Sequence, residues 1–193
     1  MLGDTNEGAD MVLSGPESFE LDECGHLTMQ VRIRINTALA SSAVFVGMSD
    51  IITTGQLSYE DAAVVSTPAD GFGVVYEGEQ ATPFLYTIGV GNDVDDTVRL
   101  ANNIDVLVVA TWVTIKIEAD NNNDPTTGVV RYRVWIDGKI MKTAVTDANG
   151  WTTSRCRSSV VLAPVIMRAG RGVAYSVDAC EFACNGAKGT TLD

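Results

Sequence analysis

From Leu27 to Ile35 apolar and polar residues alternate without a break. Leu27, Met29, Val31, Ile33 and Ile35 share one parity, and Thr28, Gln30, Arg32 and Arg34 share the other. A period of two marks a strand with one face in a core and one in water. The same period returns in residues 113–119 (VTIKIEA) and 129–136 (VVRYRVWI), while residues 42–48, 71–76 and 84–90 are strand-length runs ended by Gly, Pro and Asp. Residues 160–167 (VVLAPVIM) are apolar on both parities. That predicts a strand covered on both faces, yet Pro164 lacks an N–H and requires an edge position or a bulge. In residues 173–184 the alternation changes phase: Val173, Tyr175, Val177 and Ala179 take one parity, Cys180, Phe182 and Cys184 the other. One inserted residue in a bulge near Ala179 accounts for the change.

Other signals are local. Asp137-Gly138 lies between alternating runs and suits a two-residue type I′ turn, because Asp and Gly tolerate positive φ. This register sets Ile136 opposite Lys139, Trp135 opposite Ile140 and Val134 opposite Met141. Tyr132, Val134, Ile136 and Met141 then face the core, and Arg131, Arg133, Trp135, Ile140 and Lys142 the other side. Residues 57–65 suit one short turn of helix from Ser58, with Glu60 and Asp61 at its N-terminal end. Residues 1–20 are rich in Gly, Asp, Glu and Ser around one apolar island, Met11, Val12 and Leu13. They form either a solvated terminus or an arm that orders on a neighbour. The chain is thus read as all-β, with an extended N-terminal arm at 1–20, a β-sandwich or jelly-roll domain at 21–185 and a tail at 186–193.

Length and composition agree with one domain: 193 residues, 46% hydrophobic and 20% charged. No apolar run is long enough to span a bilayer, and the N-terminus lacks the basic start and apolar core of a secretory leader. The expectation is a soluble protein retained in the cell that makes it. A net charge of −12 repels phosphate backbones and anionic lipids, so neither nucleic acid nor membrane is an expected partner. Two small basic clusters, Arg131 with Arg133 and Arg155 with Arg157, are the exception to that balance, and they suit an acidic protein surface equally well.

Little in the sequence points to bond-making chemistry. Cys24, Cys156, Cys180 and Cys184 form no CxxC pair and His26 is the single histidine, so the thiols are read as buried and reduced. Asn92-Asp-Val-Asp-Asp96 and Asp120-Asn-Asn-Asn-Asp124 offer oxygen ligands but lack the glycine and terminal glutamate of an EF-hand loop. They are read as turn formers. No catalytic residue, metal or cofactor is expected. Trp135 on its charged face has three open roles: packing across the strands, contact with a protein, and stacking on a sugar.

The words FVGMSD (45–50), GFGVVYE (71–77), WVTIKIEAD (112–120) and YRVWIDGK (132–139) resemble, in this order, the concanavalin A-like jelly roll of lectins, laminin-G modules and glucanases. Retaining glucanases of that fold carry Glu-x-Asp-x-x-Glu on one strand. Here Glu118-Ala-Asp120 begins the pattern and Asn123 takes the place of the second glutamate. With IGVGND (88–93), LAPVIMRA (162–169) and YSVDACEFA (175–183) added, the chain is similar to a group of tailed-bacteriophage virion proteins over residues 27–184. Residues 148–159 do not match. The resemblance implies a capsid decoration (cement) protein on the outside of the head. Its partner would be the major capsid protein, and it would form a homo-oligomer, with a trimer favoured. Met11, Val12, Leu13, Arg131, Arg133 and Trp135 are the expected contact residues. The alternative is a carbohydrate-binding, lectin-like module used in adhesion.

Overall fold

Two antiparallel sheets face each other across a core built from the inward parities of their strands. The computed structural model describes residues 19–35, 42–50, 58–60, 63–65, 69–77, 84–92, 94–99, 107–121, 128–142, 146–170 and 175–184. In chain order the elements are β1 (Phe19–Glu20), α1 (Leu21–Cys24), β2 (His26–Ile35), β3 (Ser42–Ser49), β4 (Ser58–Glu60), β5 (Ala63–Val65), β6 (Asp70–Glu77), β7 (Phe84–Gly91), β8 (Val94–Arg99), β9 (Val113–Asp120), β10 (Val129–Ile136), β11 (Lys139–Ile140), β12 (Thr152–Arg157), β13 (Val161–Gly170) and β14 (Tyr175–Cys184). The first sheet runs β1-β13-β3-β6-β7-β8. The second runs β11-β10-β9-β2-β14, with β12 also paired to β10. Among the described residues no helix is long and apolar enough to cross a membrane.

The main core joins Met29, Val31 and Ile33 of β2 and Ile115 and Ile117 of β9 to Val46 and Met48 of β3 and Phe72 and Val74 of β6. Tyr132 reaches across it: its ring lies 5.2 Å from that of Phe72, and its hydroxyl donates to the Ile88 carbonyl at 3.1 Å. The first sheet is buried on its outer face as well, where Phe45, Val75, Tyr86, Ile88, Val90 and Val165 form a second cluster. Gly47 and Gly73 are register partners there, and the Phe45 ring occupies the space their side chains would fill.

Several expectations meet the structure directly. Trp135 pairs with Ile140 and Ile136 with Lys139. Asp137 and Gly138 have φ of 46° and 75°, the positive values that a type I′ turn needs. The β14 register with β2 shifts between Val177 and Ala179, which is the bulge the phase change predicts. Pro164 is accommodated because β1 borders β13 only at Val161 and Leu162, so beyond them the described part of β13 is an edge.

Three expectations are corrected. Residues 58–60 and 63–65 are strands, pairing Tyr59 with Val64, and not a helical turn. One isolated helical turn carries the full cost of helix nucleation, which strand pairing avoids. Residues 148–159, unmatched by sequence, contain β12. The cysteines are not all reduced thiols: Cys24 is disulfide-bonded, while Cys156 is free and buried. Of the N-terminal arm only Phe19 and Glu20 are described, as β1. Met11, Val12 and Leu13 and the tail at 186–193 lie outside the described residues.

Candidate functional site

The outer face of the second sheet carries the chain's three tryptophans among its arginines. Its rows follow from the registers: Trp135, Lys116 and Gln30 stand side by side, then Arg133, Glu118 and Thr28, then Arg131, Asp120 and His26. Trp135 and its neighbours are therefore set by strand pairing, not by a loop.

Glu118 organises the middle row. Burial alone would raise its carboxyl, but hydrogen bonds and charge from Lys116 and Arg133 more than offset that and hold it below the ordinary carboxylate range. Lys116 forms an ion pair with one oxygen. Arg133 Nε donates to the other, Oε2, at 2.5 Å, and Trp135 Nε1 donates to the same Oε2 at 3.3 Å. In the next row Arg131 grips Asp120 with two bonds of 2.7 and 2.8 Å. The hydrogen bond to Asp120 raises the Arg131 guanidinium further above its usual value. The two carboxylates of the incomplete glucanase-like pattern are thus both engaged by arginine. Asp120 is the last residue of β9, one beyond the alternating run that ended at Ala119, and residues 122–124 of the expected turn lie outside the described residues.

Trp151 completes this array, and the sequence did not place it. Arg133 stacks on it at 4.5 Å and Arg131 at 4.7 Å, and Arg133 also lies 5.3 Å from the Trp135 ring. Cation–π contacts of this kind hold both arginines and rings in place. A small turn presents Trp151: Asp147 Oδ1 accepts from the backbone N–H of Asn149 at 2.7 Å and of Trp151 at 3.0 Å. Gly150, at φ 80°, closes that turn against the Ile140 side chain, where a Cβ would clash. The Asp-x-x-Gly-Trp spacing of residues 147–151 carries this signal, but it is a turn pattern and not a motif with a chemistry.

At the other end of the face Trp112 lies between Arg32 and Arg34, at 4.9 and 5.0 Å. Between the Trp135 and Trp112 ends is a depression of about 250 Å³ lined by Gln30, Thr114, Lys116, Trp135 and Gly138. The hairpin turn forms its rim and is fastened down, since Asp137 Oδ1 accepts the Thr114 N–H and the Asp137 N–H donates to the Thr114 carbonyl, both at 2.9 Å. Arg131, Arg133 and Trp135 of the expected contact set therefore do come together. Among the described residues no cluster of three or more His, Cys, Asp or Glu is placed to hold a metal.

No protein-family model matches the chain, and no curated protein matches it. Solved structures do. The carbohydrate recognition domain of Emp47p superposes with a TM-score of 0.59 at 12% identity, over 94% of this chain and 81% of that one. A legume lectin-like domain from Entamoeba histolytica gives 0.55 at 13% identity, over 95% and 82%. Sheep galectin-11 gives 0.51 at 7% identity, over 91% and 97%. At these identities the likeness speaks for architecture, and the chain has the concanavalin A/legume-lectin-like jelly-roll fold.

Proposed function

We propose that the protein is a carbohydrate-binding module and that its site is the depression beside Trp135. One observation carries this: a partly exposed indole fixed by strand pairing borders a hollow whose other walls are Gln30, Thr114 and Lys116. A sugar ring has an apolar C–H face and a rim of hydroxyls. An aromatic plane beside a few donors and acceptors on rigid strands complements both. The similar structures include a carbohydrate recognition domain and a legume lectin-like domain, which supports the same reading.

In this proposal the chain binds and does not break bonds, because Glu118 and Asp120 are each committed to an arginine. The capsid-decoration expectation stands on the order of the sequence words. Its arm contacts, Met11, Val12 and Leu13, lie outside the described residues, and its other contact set belongs to the face read here as sugar-binding.

A glycan array followed by titration calorimetry tests the proposal. Binding of a defined glycan at millimolar affinity or better is expected, and Trp135→Ala should abolish it without lowering the melting temperature by more than a few degrees. An array without a single bound glycan, or equal binding by the variant, overturns it.

A further inference from the structure

The three tryptophans of this face stand in a line. Trp112 directly precedes β9, Trp135 lies on β10 and Trp151 directly precedes β12. Register orders them. Lys116, four residues along from Trp112, pairs with Trp135. Thr152 pairs with Tyr132, which sets Trp151 beside Arg133, two residues further along in the same direction. Each step from β9 to β10 to β12 therefore also advances along the strands, and the line crosses the sheet diagonally. With about 3.3 Å per residue along a strand and about 5 Å between strands, the Cα atoms of Trp112 and Trp135 are about 14 Å apart, and those of Trp135 and Trp151 about 8 Å.

All three indoles are half-buried, and each is fixed by a different device. Trp135 donates its N–H to Glu118 at 3.3 Å. Trp151 is presented by the turn that Asp147 Oδ1 caps, and Trp112 packs against Arg32 and Arg34 at 4.9 and 5.0 Å. One side chain joins two of the platforms, because the Arg133 guanidinium lies 5.3 Å from the Trp135 ring and 4.5 Å from that of Trp151. Rings held in place before a ligand arrives lose little freedom on binding it.

We infer that the ligand of this face is an interior stretch of a linear glycan, lying diagonally across the second sheet with Trp112, Trp135 and Trp151 as successive stacking platforms. The inference rests on the sugar-binding reading and deepens it. A pyranose advances an extended chain by about 5 Å, near the spacing of neighbouring strands, so the two gaps correspond to about three units and one to two units, and the whole line to about five. Gln30 and Thr114 line the hollow beside Trp135 and offer an amide and a hydroxyl to the units that cross it. A site for a chain end needs one platform, whereas three in line suit a chain that passes through.

The test uses the full chain on an array of branched and chain-end glycans together with linear glucan, xylan, mannan and galactan ladders of one to six units, then calorimetry on the ladder that binds. Affinity should rise by at least about tenfold from the disaccharide to the pentasaccharide and then level, because a unit that follows a seated one meets its platform as an intramolecular step. The parent polysaccharide should take up several copies of the protein per chain. Trp112→Ala and Trp151→Ala should each bring the pentasaccharide down towards the disaccharide's affinity, and Trp112→Ala, the change farther from Trp135, should leave the disaccharide's unchanged. If a variant fails to fold, the ladder measured on the unaltered chain decides. Affinity already level at the disaccharide, one copy of the protein per polysaccharide chain, or variants that keep the full affinity for the pentasaccharide overturn the inference while sugar binding stands. Branched or chain-end glycans as the sole hits do the same. An empty array overturns both.

Discussion

Trp135 on β10 donates its indole N–H to Glu118 on β9, 3.3 Å from the oxygen that also takes the Arg133 Nε–H. The aromatic wall of the depression is therefore oriented by a buried carboxylate. Replacing Glu118 by Gln keeps the shape and removes the charge that Lys116 and Arg133 face. A loss of roughly 1–3 kcal/mol at neutral pH is expected, the usual range for a charged group deprived of its partners. The carboxyl lies below its ordinary value of 4.5, so its stabilisation is complete above that pH and disappears as pH falls through the lower folded value. Urea denaturation at pH 7 should separate the variant from the parent. At a pH below the folded value the two curves should converge, and a constant gap would refute the assignment.

Close approach between β12 and β7 gives a second prediction. A Cβ on Gly91 would collide with the Arg155 carbonyl, and one on Gly89 would collide with the Ser154 side chain. Backbone cannot yield as a flexible side chain can. Gly91→Ala is expected to destabilise by about 3 kcal/mol or more, at the upper end for overpacking. Gly128→Ala serves as comparison: it meets open space and pays only for its φ of 57°, about 1–2 kcal/mol. Chemical denaturation should rank them in that order, and equal losses would contradict the packing of β12.

That strand also shows where the sequence was legible and where it was not. The alternation of β2, β9 and β10 put apolar side chains on one parity, and the burial of β2, of β10 and of β9 as far as Ile117 follows it; Glu118 and Asp120 at the end of β9 are buried on the other parity. The inward residues of β12 are Thr152, Ser154 and Cys156, two of them hydroxyl-bearing, so a period of two exists in burial but not in hydrophobicity. The Arg131, Arg133 and Trp135 face was readable because one two-residue turn fixes its parity. Trp112 and Trp151 joined it through stacking on arginines distant in sequence, which no local spacing encodes.

The cysteines divide into two chemical states. Cys156 is fully buried, and burial first, then the charges of Asp70 and Asp50, push its thiol well above the ordinary range. A protonated, inaccessible thiol does not alkylate. Iodoacetamide should leave Cys156 unmodified in the folded protein and label it after denaturation. A non-reducing tryptic map should join the peptide containing Cys24 to a second cysteine peptide other than that of Cys156. Disulfides persist in oxidising compartments and are reduced in most cytosols. The state of Cys24 in protein taken from its native source therefore reports the compartment it occupies. Rapid labelling of Cys156 in the native state would refute its burial.

Asp50 and Asp70 meet where β3 ends and β6 begins, the Asp50 N–H donating to the Asp70 carbonyl at 3.0 Å. Asp70 is fully buried and satisfied, accepting the Arg157 N–H at 2.9 Å and its guanidinium. Among the described residues Asp50 has no such partner, and its Oδ1 is buried without a donor. Burial first, and then repulsion from Asp70, raise its carboxyl above the ordinary 3.8, although backbone hydrogen bonds pull the other way. A raised folded value has a defined sign: between 3.8 and that value the folded state holds more protons than the unfolded, so stability falls as pH rises through the window. Asp50→Asn removes the charge while keeping the shape of the side chain. The variant should melt at a higher temperature than the parent at pH 7 and lose that advantage below about pH 4, where Asp50 is protonated in both states. Melting curves across pH 3 to 8 decide the matter. A variant less stable at pH 7 would mean that the Asp50 carboxylate is a structural acceptor, so the balance between burial and its backbone hydrogen bonds would have to be reversed.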